Sequence, residues 1–203
     1  MSTVTSAAAV LLAYLLGSFP AGFLVGRLLG VNVLEQGSGR TGGSNVMRSV
    51  GVAPALIAGA LDVGKGFLAV WLAGQLGAEP LVQVVAGAAV ILGHCYSAFL
   101  GFRGGAGVGT SLGALAAFHL PAAVGLFIVL LVVIAISRYS SLGSLTMSTL
   151  MPLVMLALSL CGELPAIYVL YGFLAWLLVF YTHRPNIVRL IQGTERRWGE
   201  NQG

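Results

Sequence analysis

The chain has 203 residues, 58% of them hydrophobic and only 8% charged, where soluble domains carry about a quarter charged residues. That excludes an ordinary soluble domain, and the formal net charge of +4 calls for no nucleic acid, because basic loops facing anionic lipid account for it. The expectation is an all-α integral membrane protein, one domain over residues 1–203, with about seven transmembrane helices, two of them short, Gly-rich cytoplasmic loops and a polar tail from about residue 183.

The first apolar run, 5–29, is long enough to cross a hydrocarbon core about 30 Å thick. No basic residue precedes it and no clear cleavage site follows, so it reads as an uncleaved span that starts outside. Next comes the loop Gly37-Ser38-Gly39-Arg40-Thr41-Gly42-Gly43-Ser44-Asn45-Val46-Met47-Arg48, which cannot pack a core. Its glycines permit positive φ and close backbone approach, so successive N–H groups can be aimed at an anion. Arg40 and Arg48 can close on phosphate oxygens in fork geometry, and Ser38, Ser44 and Asn45 add neutral donors. The plainer alternative is a turn-rich loop whose arginines only enforce topology.

The span 51–75 carries Asp62 and Lys65, three apart and therefore on one helix face. Charge at that depth needs a partner, so the two are read as a pair, or as a group contacting the loops, with a structural role preferred. The span 80–100 contains Gly93-His94; an inward histidine bonded to a loop carbonyl is the preferred reading there. A second Gly-rich loop follows, Gly101-Phe102-Arg103-Gly104-Gly105-Ala106-Gly107-Val108-Gly109-Thr110. It leads into a helix near Ser111, so a phosphate held there would meet free N–H groups and the positive end of the helix dipole. It lacks the Gly-Lys-Ser/Thr ending of a nucleotide P-loop and has no flanking strand, which argues against ATP and NAD.

The run 111–137 is too short for two full spans, yet Arg103 and Arg138 both belong on the cytoplasmic side. Two short helices hinged near His119, Leu120 and Pro121, forming a partly re-entrant hairpin, reconcile these facts. Beyond it lie the cluster Arg138-Tyr139-Ser140-Ser141-Leu142-Gly143-Ser144, the spans 142–160 and 164–182, and the cluster His183-Arg184-Pro185-Asn186-Ile187-Val188-Arg189-Leu190. Arg196 and Arg197 are assigned to the membrane boundary alone. With loops 30–50 and 101–110 and the tail inside, the segments 76–80 with Glu79 and 161–165 with Glu163 fall outside. No Lys or Arg then lies outside. Cys95 and Cys161 fall near opposite membrane faces and should not pair, and three histidines without a Cys-x-x-Cys speak against a metal site. No cofactor is expected.

These motifs together resemble the bacterial acyl-phosphate-dependent glycerol-3-phosphate acyltransferases, small polytopic membrane enzymes. The resemblance runs through Gly17-Ser18-Phe19-Pro20-Ala21-Gly22, the Gly37–Arg48 loop, Asp62 to Gly66, Gly93-His94 with Phe99 and Phe102, Arg103 to Thr110, Ser141 to Ser144, and His183 to Glu195. It implies transfer of a fatty acyl group from acyl phosphate to glycerol 3-phosphate at the bacterial inner membrane, giving 1-acyl-glycerol 3-phosphate and phosphate for phospholipid synthesis. An acyl phosphate already carries a good leaving group, so such an enzyme mainly aligns two anionic substrates and neutralises developing charge. No His-x-x-x-x-Asp motif is present, since Phe99 and Val124 follow His94 and His119 at that spacing. The expected arrangement is therefore substrate-assisted. Ser38, Arg48, His183 and Asn186 position the acceptor, and Arg40, Ser44, Asn45, Arg103, Gly104, Gly105, Gly107, Thr110, Ser141 and Ser144 bind substrate, with the acyl tail leaving sideways into the bilayer.

Ser44 for the usual Thr and Gly43 for the usual Ala are mild departures from the family pattern, and two others change charge. Ala106 stands where the family usually has Lys, and Arg40 where it usually has Asn, so one cation is lost and one gained. Compensation is one reading; a weakly active or non-catalytic lipid-binding paralogue is another. A carrier of a phosphorylated solute is a third, disfavoured because no inverted repeat is visible and the polar motifs gather on one face.

Overall fold

The computed structural model describes residues 2–198, in which the regular structure is helical. Ten α-helices occur among these residues: α1 (Thr3–Ser18), α2 (Ala21–Leu28), α3 (Gly43–Ser49), α4 (Val52–Gln75), α5 (Pro80–Cys95), α6 (Val108–Phe118), α7 (Leu120–Ser137), α8 (Ser140–Leu160), α9 (Tyr168–Thr182) and α10 (Arg184–Ile191). Four stretches are long and apolar enough to cross a membrane, namely Thr3–Leu28, α4, α7 and α8, and α5, α6 and α9 are shorter apolar helices.

The first apolar run is broken at Phe19-Pro20, because proline supplies no N–H and its ring obstructs the preceding turn. The break frees the Phe19 carbonyl, which accepts a hydrogen bond from Lys65 Nζ at 2.9 Å. Lys65 in turn lies 2.9 Å from Asp62 Oδ1, and His94 Nδ1 approaches the same oxygen at 3.3 Å. The buried ionic group therefore fastens the helix break to α4 and α5.

His119 ends α6 and opens α7, where its Nδ1 accepts from the Ala122 N–H at 3.1 Å with Pro121 in the first turn. The hinge falls where the proline places it. Its two arms are unequal, however: α6 has 11 residues, whereas α7 has 18, about 27 Å at 1.5 Å per residue, and is a full-length span rather than a short one. α5 stops at Cys95 instead of running to residue 100, since Ser97 turns back to donate its hydroxyl to the Ser18 carbonyl at 2.5 Å.

Helices approach closely through small residues, as is usual where no hydrophobic effect drives association in lipid. A Cβ at Gly17 would lie 2.1 Å from the Val90 carbonyl oxygen, joining α1 to α5, and one at Gly113 would lie 1.9 Å from the Val63 carbonyl oxygen, joining α6 to α4. At the centre, buried Tyr171 of α9 donates to the Ser111 carbonyl at 2.7 Å and stacks against Phe118 with ring centroids 4.9 Å apart.

The polar segments meet at one end of the bundle. Thr41 N–H donates to the Gly104 carbonyl at 3.3 Å and Trp198 N–H to the Arg138 carbonyl at 2.8 Å, while Arg196 reaches the Gly37 carbonyl at 3.3 Å. Both Gly-rich loops, the α7–α8 turn and the tail are thus tied into one layer.

Candidate active site

Beneath this layer lies a cavity of about 840 Å³ between α4, α6 and α7. Its polar end is formed by Ser38, Arg40, Ser44, Asn45 and Arg48 from the first loop and α3, by Gly107 and Val108 at the start of α6, by Ser141 and Ser144 of α8, and by His183 and Asn186 at the α9–α10 junction. Its other end is apolar, walled by residues such as Val63 and Phe67 of α4, Ala116 of α6, and Val124 and Phe127 of α7. Several wall side chains stand open at the protein surface, Leu56 at 65% and Leu120 at 60% exposed, where a membrane places acyl chains.

The first loop takes its shape from Asn45. Its side-chain amide donates to the Val33, Gln36 and Arg40 carbonyls at 2.9, 3.1 and 2.9 Å, and its Oδ1 accepts from the Ser38 N–H at 2.9 Å. Asn45 borders the cavity as the loop's internal scaffold, with its donors already committed. Gly37 is required beside it, since φ is +55° and a Cβ would fall 2.5 Å from Asn45 Oδ1. Among the described residues, by contrast, the hydroxyls of Ser38 and Ser44 and the guanidinium of Arg48 have no protein partner and remain available to a ligand.

Arg40 spans the site. Its Nη1 donates to Asn186 Oδ1 at 3.2 Å and its Nη2 to the Thr182 carbonyl. Thr182 Oγ1 donates to the Ala106 carbonyl at 2.9 Å, so Arg40 and Ala106 are linked through one residue. Burial draws the Arg40 guanidinium below its ordinary pKa, with the Arg189 charge lowering it further. Asn186 is held from its other side as well, donating to Glu195 Oε1 at 2.7 Å.

His183 Nδ1 lies 2.8 Å from the Val179 carbonyl oxygen. A carbonyl only accepts, so Nδ1 carries the proton and Nε2 is left as an acceptor. Burial, assisted by the Arg40 charge, pushes the His183 pKa down to about 4, and the ring is neutral at physiological pH.

The second loop divides. Gly107 and Val108 reach the cavity, and Gly107, with φ +87°, caps α6 so that the first N–H groups of that helix open toward it. Arg103, Gly104, Gly105 and Thr110 do not line it. Arg103 donates to the Leu34 carbonyl at 3.1 Å. Gly105 N–H donates to the His94 carbonyl at 3.0 Å, and a Cβ there would meet His94 Nε2 at 2.1 Å. Thr110 is fully buried at the contact with Gly66. Ser141 donates to Glu195 Oε1 at 3.1 Å and Ser144 to the Ser140 carbonyl at 2.9 Å, which leaves their oxygens free only to accept.

Three features were missed at the level of sequence. Asp62 and His94, read as structural, also border the cavity. Glu195 is the hub of the tail, 8% exposed and bound by Ser141, Asn186 and Arg189, the last at 2.8 Å. A lone acid before Arg196-Arg197 was the available signal, since a buried carboxylate needs several donors.

An apolar groove opening to lipid and ending in a cluster of cationic, hydroxyl and helix-N-terminal donors defines a membrane protein that receives a lipid-like anion. The comparisons with known proteins agree. The glycerol-3-phosphate acyltransferase family profile matches residues 7–193, and the chain belongs to that family. It is 44% identical to a glycerol-3-phosphate acyltransferase of Synechococcus sp. over 93% of both chains, and 42% identical to one of Rubrobacter xylanophilus over 96% of both. Among solved structures it resembles the integral membrane glycerol 3-phosphate acyltransferase PlsY (YgiH) in its glycerol 3-phosphate form, with a TM-score of 0.87 and 36% identity over 96% of both chains. The lysophosphatidic acid form of that protein matches with a TM-score of 0.86.

Proposed function

We propose that this chain transfers a fatty acyl group from acyl phosphate to the 1-hydroxyl of glycerol 3-phosphate, giving lysophosphatidate and inorganic phosphate. The observation that carries the reading is the single cavity that joins uncommitted phosphate donors to an apolar groove. Arg48, Ser38 and Ser44 hold the acceptor phosphate. Arg40 and the N-terminus of α6 hold the donor phosphate and offset charge as the carbonyl becomes tetrahedral. The acceptor hydroxyl oxygen bonds to the acyl carbon, the bond from that carbon to the phosphate oxygen breaks, and the hydroxyl proton passes to a substrate phosphate.

His183 suits a positioning role in that step, its Nε2 accepting from the acceptor's other, non-reacting hydroxyl. With its pKa near 4 it is a weaker base than a phosphate monoester, whose second pKa is about 6. The gap of roughly two units, about 3 kcal/mol, favours phosphate as proton acceptor.

The arrangement in the bilayer follows from the arginine-bearing segments sharing one end. We read seven membrane segments, α1 with α2 as one and α4 to α9 as six, in a single domain with the N-terminus outside and the cavity's polar end and tail cytoplasmic, in the inner membrane. α3 and α10 lie along the inner boundary. The test is purified protein in lipid with labelled glycerol 3-phosphate and either acyl phosphate or acyl-CoA. Labelled lysophosphatidate with acyl phosphate is expected; no product with either donor would leave a non-catalytic lipid-binding paralogue, and product from acyl-CoA alone would refute the donor assignment.

A further inference from the structure

Glycines inside α4 fall into two kinds. Gly66 is a packing residue, because a Cβ there would lie 2.2 Å from the Thr110 carbonyl oxygen. Gly59 and Gly64 have nothing within 4 Å of a would-be Cβ, and both line the cavity. Glycine weakens a helix interior relative to alanine, and no neighbouring helix requires it at these two positions. What they provide is width in the groove.

Their depths differ. α4 and α6 run side by side in the same direction: Gly109 faces Gly59 and Asp62, and Gly113 faces Val63. Gly59 therefore lies level with the start of α6, at the polar end. Gly64 lies five residues on, about 7.5 Å further into the apolar part. Phe67, three residues beyond and on the same face, is the last residue of α4 on the cavity wall, and α7 contributes Val124 and Phe127.

We propose that Gly64 and Phe67 tune the length of acyl chain this protein accepts, Gly64 as the gap through which the chain passes and Phe67 as the bulk that narrows the groove beyond it. The inference rests on the acyl-phosphate reading above and adds to it the residues that select the donor. A groove open at Gly64 admits methylenes that a side chain there would displace, and a donor whose chain ends short of Gly64 is indifferent to the change.

The test uses purified full-length protein in lipid vesicles, with labelled glycerol 3-phosphate and hexanoyl or palmitoyl phosphate. Gly64→Leu should lower kcat/KM for palmitoyl phosphate by about tenfold or more relative to hexanoyl phosphate, the scale on which apolar sites discriminate methylenes, with KM for glycerol 3-phosphate unchanged. Gly59→Leu, at the polar end, should depress all donors alike. Phe67→Ala should raise the palmitoyl-to-hexanoyl ratio several-fold. An unchanged palmitoyl-to-hexanoyl ratio in Gly64→Leu overturns the inference; if that variant does not fold, an unchanged palmitoyl-to-hexanoyl ratio in Phe67→Ala overturns it instead. A wild-type protein silent with every donor would overturn the reaction itself and the inference with it, whereas an active wild type with unchanged ratios overturns the inference alone.

Discussion

Replacing Arg40 by Asn removes the one side chain that reaches from the first loop to both Thr182 and Asn186. Hydrogen bonds to a charged group are worth about 1.5–3 kcal/mol each where buried. Arg40 is only half-buried, so each bond is worth less than that, about 1 kcal/mol, and about 2 kcal/mol is expected for the two together. That corresponds to a roughly 30-fold fall in kcat/KM. The family resemblance places a Lys at the position of Ala106, and Ala106 is fixed beside Thr182 by the 2.9 Å bond to its carbonyl. A lysine there starts next to the ground that Arg40 vacates. Arg40→Asn combined with Ala106→Lys should therefore recover at least fivefold of the lost activity, a coupling of about 1 kcal/mol, while Ala106→Lys alone should gain nothing because two cations then crowd one site. The assay is a double-mutant cycle on initial rates in lipid with both substrates varied. If the double variant equals the sum of the singles to within about 0.3 kcal/mol, Arg40 and position 106 do not serve the same phosphate and the compensation argument fails.

Arg48→Ala should raise KM for glycerol 3-phosphate at least tenfold with little change in Tm, since Arg48 makes no hydrogen bond or ion pair among the described residues, and Arg48→Lys should rescue little because a lysine lacks the guanidinium fork; an unchanged KM removes Arg48 from the site. For His183 the folded pKa of about 4 lies below the unfolded value near 6.5, so the unfolded state binds more protons between those values. Stability is then fully present above about pH 6.5 and declines as pH falls toward 4, by up to roughly 3 kcal/mol; thermal melts across that range should show the loss in wild type and a flatter profile in His183→Gln. In a Cys161→Ser background, which removes the exposed native thiol, a cysteine introduced at Ser44 should resist an impermeant thiol reagent added outside intact cells and react after permeabilisation; labelling from outside would reverse the orientation.

Composition and residue type settle where this chain resides, because the cost of placing a side chain in hydrocarbon depends mainly on what it is and little on its neighbours. The apolar runs, the Pro121 hinge, the clustering of arginines and the family motifs were legible on that basis. What a polar residue does with its donors was not. Asn45 looked like a ligand for substrate and is consumed by three loop carbonyls; Arg103, Gly104, Gly105 and Thr110 looked like phosphate contacts and are packed against Leu34, His94 and Gly66. Asp62 and His94 looked structural and also stand in the cavity wall. Asn45 finds its acceptors within its own loop, but for most of the others the deciding partner comes from a different segment of the chain, as with Arg40 and Asn186, 146 residues apart. Identical side chains become scaffold or site according to which acceptors the bundle delivers to them, and only helix packing fixes that delivery.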